Sequence, residues 1–178
     1  KIVRLLLNRA RLNPKRVVFA EADQLDVLKA AQIVHDDGIA IPILLGRRDK
    51  ILSLMKDIDF EGDLEIIDPK TDEEEERKNK YAKVYWQQRK RSGVTLYSAE
   101  KLMRERNYFA AMMVNEGDAD ALISGYSRSY PSVVKPMLEL IGLASGSTRI
   151  ATTNVMMTKR GPMFLSDTSI NINPSAND

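Results

Sequence analysis

The 178-residue chain has no cysteine and a single histidine. Without thiols there is no disulfide framework, no thiolate metal site and no cysteine nucleophile. The histidine, His35, falls near the end of a helical pattern (Leu28, Ala31, Ile33, Val34), where the helix dipole favours it, and reads as structural. Charge of one sign is also lacking. Lys and Arg number 27 against 25 Asp and Glu, and a formal charge of +2 gives no reason to invoke nucleic acid. The short basic runs Arg47-Arg48 and Arg89-Lys-Arg91 are answered by Asp72-Glu-Glu-Glu-Glu76 and read mostly as solvated helix faces. No apolar run approaches a membrane span and no signal peptide is visible, so neither a membrane nor export is expected and the location read is cytoplasmic. A glycine-rich dinucleotide fingerprint and a P-loop are missing as well, so this segment is not expected to hold NADP or hydrolyse nucleotides itself. The opening Lys1, without a methionine, leads straight into a helical pattern, which suggests a piece of a longer polypeptide.

What remains is ordinary for a globular chain, with 43% apolar and 29% charged residues. Residues 2–12 carry Leu and Ile between arginines at helical spacing. Residues 16–20, 39–45, 64–67 and 121–123 are short apolar or β-branched runs, the mark of buried strands. Between them lie helical patterns at 23–37, 49–55, 72–91, 98–106 and 108–115. Asp23 and Asp26 are expected to cap the first of these. Strands alternating with helices predict a doubly wound, mostly parallel α/β sheet over residues 1–144. After Gly142 the texture changes. A loop at 144–148 precedes two strand patterns, 149–158 and 163–166, joined by Lys159-Arg-Gly-Pro162. This predicts the start of a second α/β subdomain over residues 145–178, ending on apolar faces without cover. The methionines 112, 113, 156, 157 and 163 are expected to fill core.

The most informative stretch is Ala121-Leu-Ile-Ser-Gly-Tyr-Ser-Arg-Ser-Tyr130 and the helical pattern behind it. It puts small and hydroxylated residues where a strand ends and a helix begins, the usual ligand site of an open α/β sheet. Free N–H groups and the helix dipole suit an anion there, and Arg128 and Lys135 add charge. The expectation is a cradle for a phosphate or carboxylate formed by Ser124, Gly125, Ser127 and Arg128. Glu21, ending the first strand, either points into the cleft or caps a neighbouring loop. Asp167, after Phe164-Leu-Ser166, is a site candidate by the same logic. Tyr85 and Trp86 read as packing of the long helix.

Several segments in order resemble the phosphate acetyl/butyryltransferase (phosphotransacetylase) family: Asn13-Pro-Lys-Arg-Val-Val-Phe-Ala-Glu-Ala22, Leu45-Gly46, Asp68-Pro-Lys70, Gln88-Arg-Lys90, Ala110-Ala-Met-Met113, Ala121-Leu-Ile-Ser-Gly125 and Phe164-Leu-Ser-Asp167. Gly125-Tyr-Ser-Arg-Ser-Tyr130 and Thr153-Asn-Val-Met-Met157 look most like the rear, phosphotransacetylase-like domain of hybrid NADP-dependent malic enzymes. The resemblance implies the two-subdomain fold shared with isocitrate and isopropylmalate dehydrogenases, with a site in the cleft between subdomains. For a malic enzyme it implies a domain that senses acetyl-CoA and helps assemble a homo-oligomer. The NADP and divalent metal (Mg or Mn) would belong to a malic enzyme catalytic domain in front, in the same polypeptide. For a free-standing family member it implies acyl transfer between acetyl phosphate and CoA. Arg89 stands where the family has a substrate-binding arginine. Lys135, before Pro136, stands where active members typically have an arginine on the phosphoryl group. Lysine keeps the charge and loses the bidentate fork. Tyr126 and Arg128 bring bulk and a cation where the acyl transferases have small residues. The family's downstream catalytic serine, arginine and aspartate have no counterpart in this sequence.

Overall fold

The computed structural model describes residues 2–167, 170 and 171. Helix α1 (Ile2–Leu12) lies outside the core, with no buried residue, and is tied back through Arg11 to the Asp37 carbonyl at 2.7 Å. Strand β1 (Lys15–Phe19) leads to α2 (Leu25–Asp36), β2 (Ala40–Leu45), α3 (Arg48–Asp57) and β3 (Glu65–Ile67). Next come α4 (Glu75–Arg89), α5 (Leu96–Leu102), α6 (Arg106–Asn115), β4 (Ala121–Ile123) and α7 (Tyr130–Leu140). The four strands form one parallel sheet in the order β3-β2-β1-β4, the doubly wound arrangement predicted. The order reverses at β1, so the chain passes out on one side to β2 and β3 and returns to the other at β4.

Parallel strands are covered on both faces, which is why their sequences are nearly continuous apolar runs. Neighbouring side chains point to opposite faces. Thus Val18 and Leu45 face a cluster built with Tyr81, Phe109 and Met112 from α4 and α6. Phe19 and Leu44 face a second cluster with Leu28, Ile51 and Phe60 on the α2–α3 side. Helix α2 ends as its sequence signals. Gly38, at φ +64°, lets its N–H reach the His35 carbonyl and that of Ile39 the Val34 carbonyl. His35 sits in that last turn with its ring edge on Phe60, a structural placement.

Three expectations fail. Asp23 and Asp26 do not cap α2: Gln24 is the N-cap and makes no side-chain bond, because both acids are engaged elsewhere. The single helix expected to reach Arg106 breaks after Leu102, and Arg106 instead opens α6. The antiparallel pair β5 (Thr153–Thr158) and β6 (Gly161–Ser166) does form, in a sheet of its own. However, Met156, Met157 and Met163 are about half exposed rather than core. Every residue of the two strands except Gly161 is exposed, so the apolar side chains of the ribbon stand largely in solvent. Met112 and Met113, by contrast, are fully buried.

Candidate functional site

The site gathers at the carboxyl ends of β1 and β4, where the strand order reverses. Glu21, just past β1, is 2% exposed and reaches across to the loop after β4. Its Oε1 accepts the Gly125 N–H at 3.1 Å, and its Oε2 accepts the Ser127 N–H and hydroxyl, both at 2.7 Å. The Ser124 hydroxyl lies 2.8 Å from Asn107 Oδ1 and 3.3 Å from Glu21 Oε1 and shares one proton between them. Burial alone would raise the Glu21 carboxyl, but the bonds from Ser127, Gly125 and Ser124 outweigh it and hold the group below the usual carboxylate range. Gly125, at φ +110°, gives the loop the backbone shape that aims its N–H at the carboxylate. The donors expected to cradle an external anion therefore hold the chain's own. Of the two readings open for Glu21, the structure shows the loop cap, made from a position that also borders the cleft.

Asp23, 3% exposed, meets the Arg106 guanidinium through two bonds of 2.7 Å, a fork-on-fork pair. Burial would raise the Asp23 carboxyl; Arg106, above all through its hydrogen bonds, brings it below the ordinary value. The pair fixes the first turn of α6 against the β1–α2 loop. Asn107, next along, donates to the Ser132 carbonyl at 3.0 Å. That carbonyl is four residues before Pro136, which has no N–H to offer it, so the proline inside α7 frees the acceptor that ties α7 to α6.

These ties shape a cleft of about 240 Å³, whose lining includes Glu21, Arg106, Tyr108, Arg128, Ser132 and Lys135. Arg106 is committed to Asp23, whereas Arg128 is exposed and makes no ion pair or side-chain hydrogen bond among the described residues. Lys135 approaches Glu139 only to 4.0 Å. A second, largely apolar hollow of about 330 Å³ lies beyond the same loop, between Phe19, Val27, Ala30, Ile123 and Tyr126. The Tyr126 hydroxyl donates to Asp26 across its rim.

Arg128 and Lys135 thus share the cleft wall, beside the loop of Ser124, Gly125 and Ser127. Arg89 and Asp167 are not in that lining. Arg89 ends α4 with its Nε buried and without a hydrogen-bond partner. Asp167 follows β6 at φ +51° and accepts from the Asn171 backbone N–H at 3.2 Å. Tyr85 is core, and Trp86 carries Lys90 over its ring at 5.4 Å. No group of three or more His, Cys, Asp or Glu among the described residues is placed to hold a metal. Sequence reading missed Arg106, Asn107 and Glu139. The polar run Glu105-Arg-Asn107 between two apolar helices was the available signal, but the break was placed at Asn107, with Arg106 left in the helix before it.

A parallel sheet reversing at β1, with a cation-lined cleft at its carboxyl edge, fits the family that the motifs resembled. The family model described as phosphate acetyl/butaryl transferase matches residues 1–178. The chain belongs to this family. It is 31% identical over 183 residues to a phosphate acetyltransferase of Thermoanaerobacterium thermosaccharolyticum, covering 99% of this chain and 55% of that protein. It is 32% identical over 181 residues to an NADP-dependent malic enzyme of Haemophilus influenzae, covering 99% of this chain and 24% of that protein. Among solved structures, EutD phosphotransacetylase from Staphylococcus aureus matches with a TM-score of 0.82 at 28% identity, over 96% of this chain and 52% of that one. This phosphotransacetylase-like chain therefore spans about half, or less, of the proteins it matches.

Proposed function

We propose that the chain is the first part of a phosphotransacetylase-like regulatory and assembly domain of an NADP-dependent malic enzyme. It binds acetyl-CoA, or a related phosphorylated effector, in the cleft between α6 and α7. Residues 1–144 carry the cleft and residues from 145 begin a second subdomain. The parent enzyme decarboxylates malate oxidatively to pyruvate, with NADP and its divalent metal held by a front domain. The observation that carries this reading is the commitment of the Gly125 and Ser127 donors to Glu21. Acyl transfer needs preorganised donors at the developing oxyanion, and these two N–H groups are already taken. Cations for a phosphate remain, in Arg128 and Lys135.

The second reading is a catalytic phosphate acetyltransferase, making acetyl-CoA and phosphate from acetyl phosphate and CoA. Similarity to phosphate acetyltransferases over nearly the whole chain favours it. Calorimetry on the full-length protein with acetyl-CoA, CoA and acetyl phosphate, beside an assay of CoA-dependent acetyl phosphate consumption, separates the two. The regulatory reading expects acetyl-CoA binding and negligible turnover. Turnover on the order of 1 to 1000 per second overturns it.

A further inference from the structure

Lys135 and Glu139 lie one turn apart on α7, the spacing at which a lysine and a glutamate on one helix face ordinarily close into a contact. Here Nζ stays 4.0 Å from Oε1, beyond hydrogen-bond range. The cause lies on two other helices. Glu139 Oε2 accepts the Tyr108 hydroxyl of α6 at 2.7 Å and the Tyr85 hydroxyl of α4 at 3.0 Å. The two rings pack edge to face at 5.8 Å. Tyr85 is 2% and Tyr108 8% exposed, so both hydroxyls are set by core packing. They draw the carboxylate inward, toward the three-helix junction. Lys135 remains mostly exposed on the cleft wall.

We propose that Tyr85 and Tyr108 act as a clamp that holds Glu139 back from Lys135, keeping the ammonium available to an anion in the cleft. Glu139 is then the competing anion, and the tyrosines set how strongly it competes. All three are positioning residues, since none needs to touch the ligand. The inference rests on the anion-binding reading of the cleft.

Two readouts separate the clamp from that reading. The first is titration of inorganic phosphate into the full-length protein, followed by calorimetry. Glu139→Gln removes the competitor and tightens phosphate binding by about two- to five-fold, the scale of a solvent-accessible ion pair. Tyr85→Phe/Tyr108→Phe releases the carboxylate toward Lys135 and weakens binding by a similar factor. A purely structural role predicts changes of the same sign, because Glu139→Gln weakens and the double tyrosine variant removes the bonds of the same cluster, and such a result overturns the clamp. The second readout is a crystal structure of the double tyrosine variant, in which Nζ closes on the carboxylate to about 2.7–2.9 Å. A separation still near that of the unaltered protein overturns the clamp whether or not phosphate binds. Closure without any phosphate binding supports the clamp and sinks the cleft reading instead. If the double variant does not fold, Tyr108→Phe, which removes the shorter bond, gives the same signs at smaller amplitude.

Discussion

Glu21 shows how one buried side chain decides what a site can do. Its depressed carboxyl, like that of Asp23, makes folding depend on pH with a definite sign. A group whose folded value lies below its unfolded one stabilises the fold above the unfolded value, about 4 for a carboxylate, and loses that contribution as pH falls through the folded value. Urea unfolding should therefore give a stability that is flat near neutrality and drops below about pH 4. Glu21→Gln should flatten part of that drop. It should also cost about 2–3 kcal/mol at pH 7, because its amide nitrogen cannot accept from the loop N–H groups. Tyr85 has the opposite sign. Burial, and then the bond to Glu139, push its hydroxyl up to about 12, so its contribution is complete below the unfolded value near 10 and fades as pH rises toward 12. Arg128, with nothing to hold, is expected to affect binding alone. Arg128→Ala should weaken acetyl-CoA or phosphate binding by about 1.5–3 kcal/mol with the melting temperature unchanged. Unchanged affinity with a large loss of stability would instead make Arg128 an ion-pair partner.

At the scale of elements, the cleft exists because α6 and α7 are held at fixed positions against the sheet edge. Asn107 is the joint: its amide donates to Ser132 and its oxygen accepts from Ser124, so it ties α6 to both α7 and the loop after β4. Asn107→Ala strands the Ser132 carbonyl, leaves the Ser124 hydroxyl only its longer bond to Glu21, and should cost about 1–3 kcal/mol in chemical denaturation. A loss within a few tenths of a kcal/mol would mean that water replaces the amide. The elements themselves were largely legible. Val17, Val18 and Phe19 can only be a short strand at this spacing, and Gly38 and Gly46 end a helix and a strand where expected. The break between α5 and α6 was legible, but at Asn107 rather than at residues 103–105, since Met103, Arg104 and Glu105 are all good helix formers. What the structure adds is the hold of Asp23 on Arg106 at the start of α6, from 83 residues away.

For the whole molecule, two regions contrast sharply. The parallel sheet buries its centre on both faces, with Val18, Phe19, Ile43, Leu44 and Leu45 nearly inaccessible, whereas the β5–β6 ribbon leaves Val155, Met156 and Phe164 more than half exposed. A two-stranded ribbon without a covered face is marginal in water. In the 178-residue chain, hydrogen exchange should therefore be fast over residues 153–166 and slow over 17–19 and 43–45, the strands at the centre of the sheet. Slow exchange in the ribbon would mean that another surface covers it.

The sequence alone determined the class of fold, its order of strands and helices, the junction where a ligand site should form, and the family motifs. These are set by periodicity and by residue types over a few neighbours, which local chemistry dictates. Tertiary structure decided which charges face each other. Whether Glu21 would cap the loop or face the cleft, that Asp23 would seize Arg106 rather than cap α2, and that two tyrosines would draw Glu139 away from Lys135 all depend on side chains from separate helices meeting at one sheet edge. A buried carboxylate takes the donors that burial leaves nearest, and sequence spacing does not say which those are.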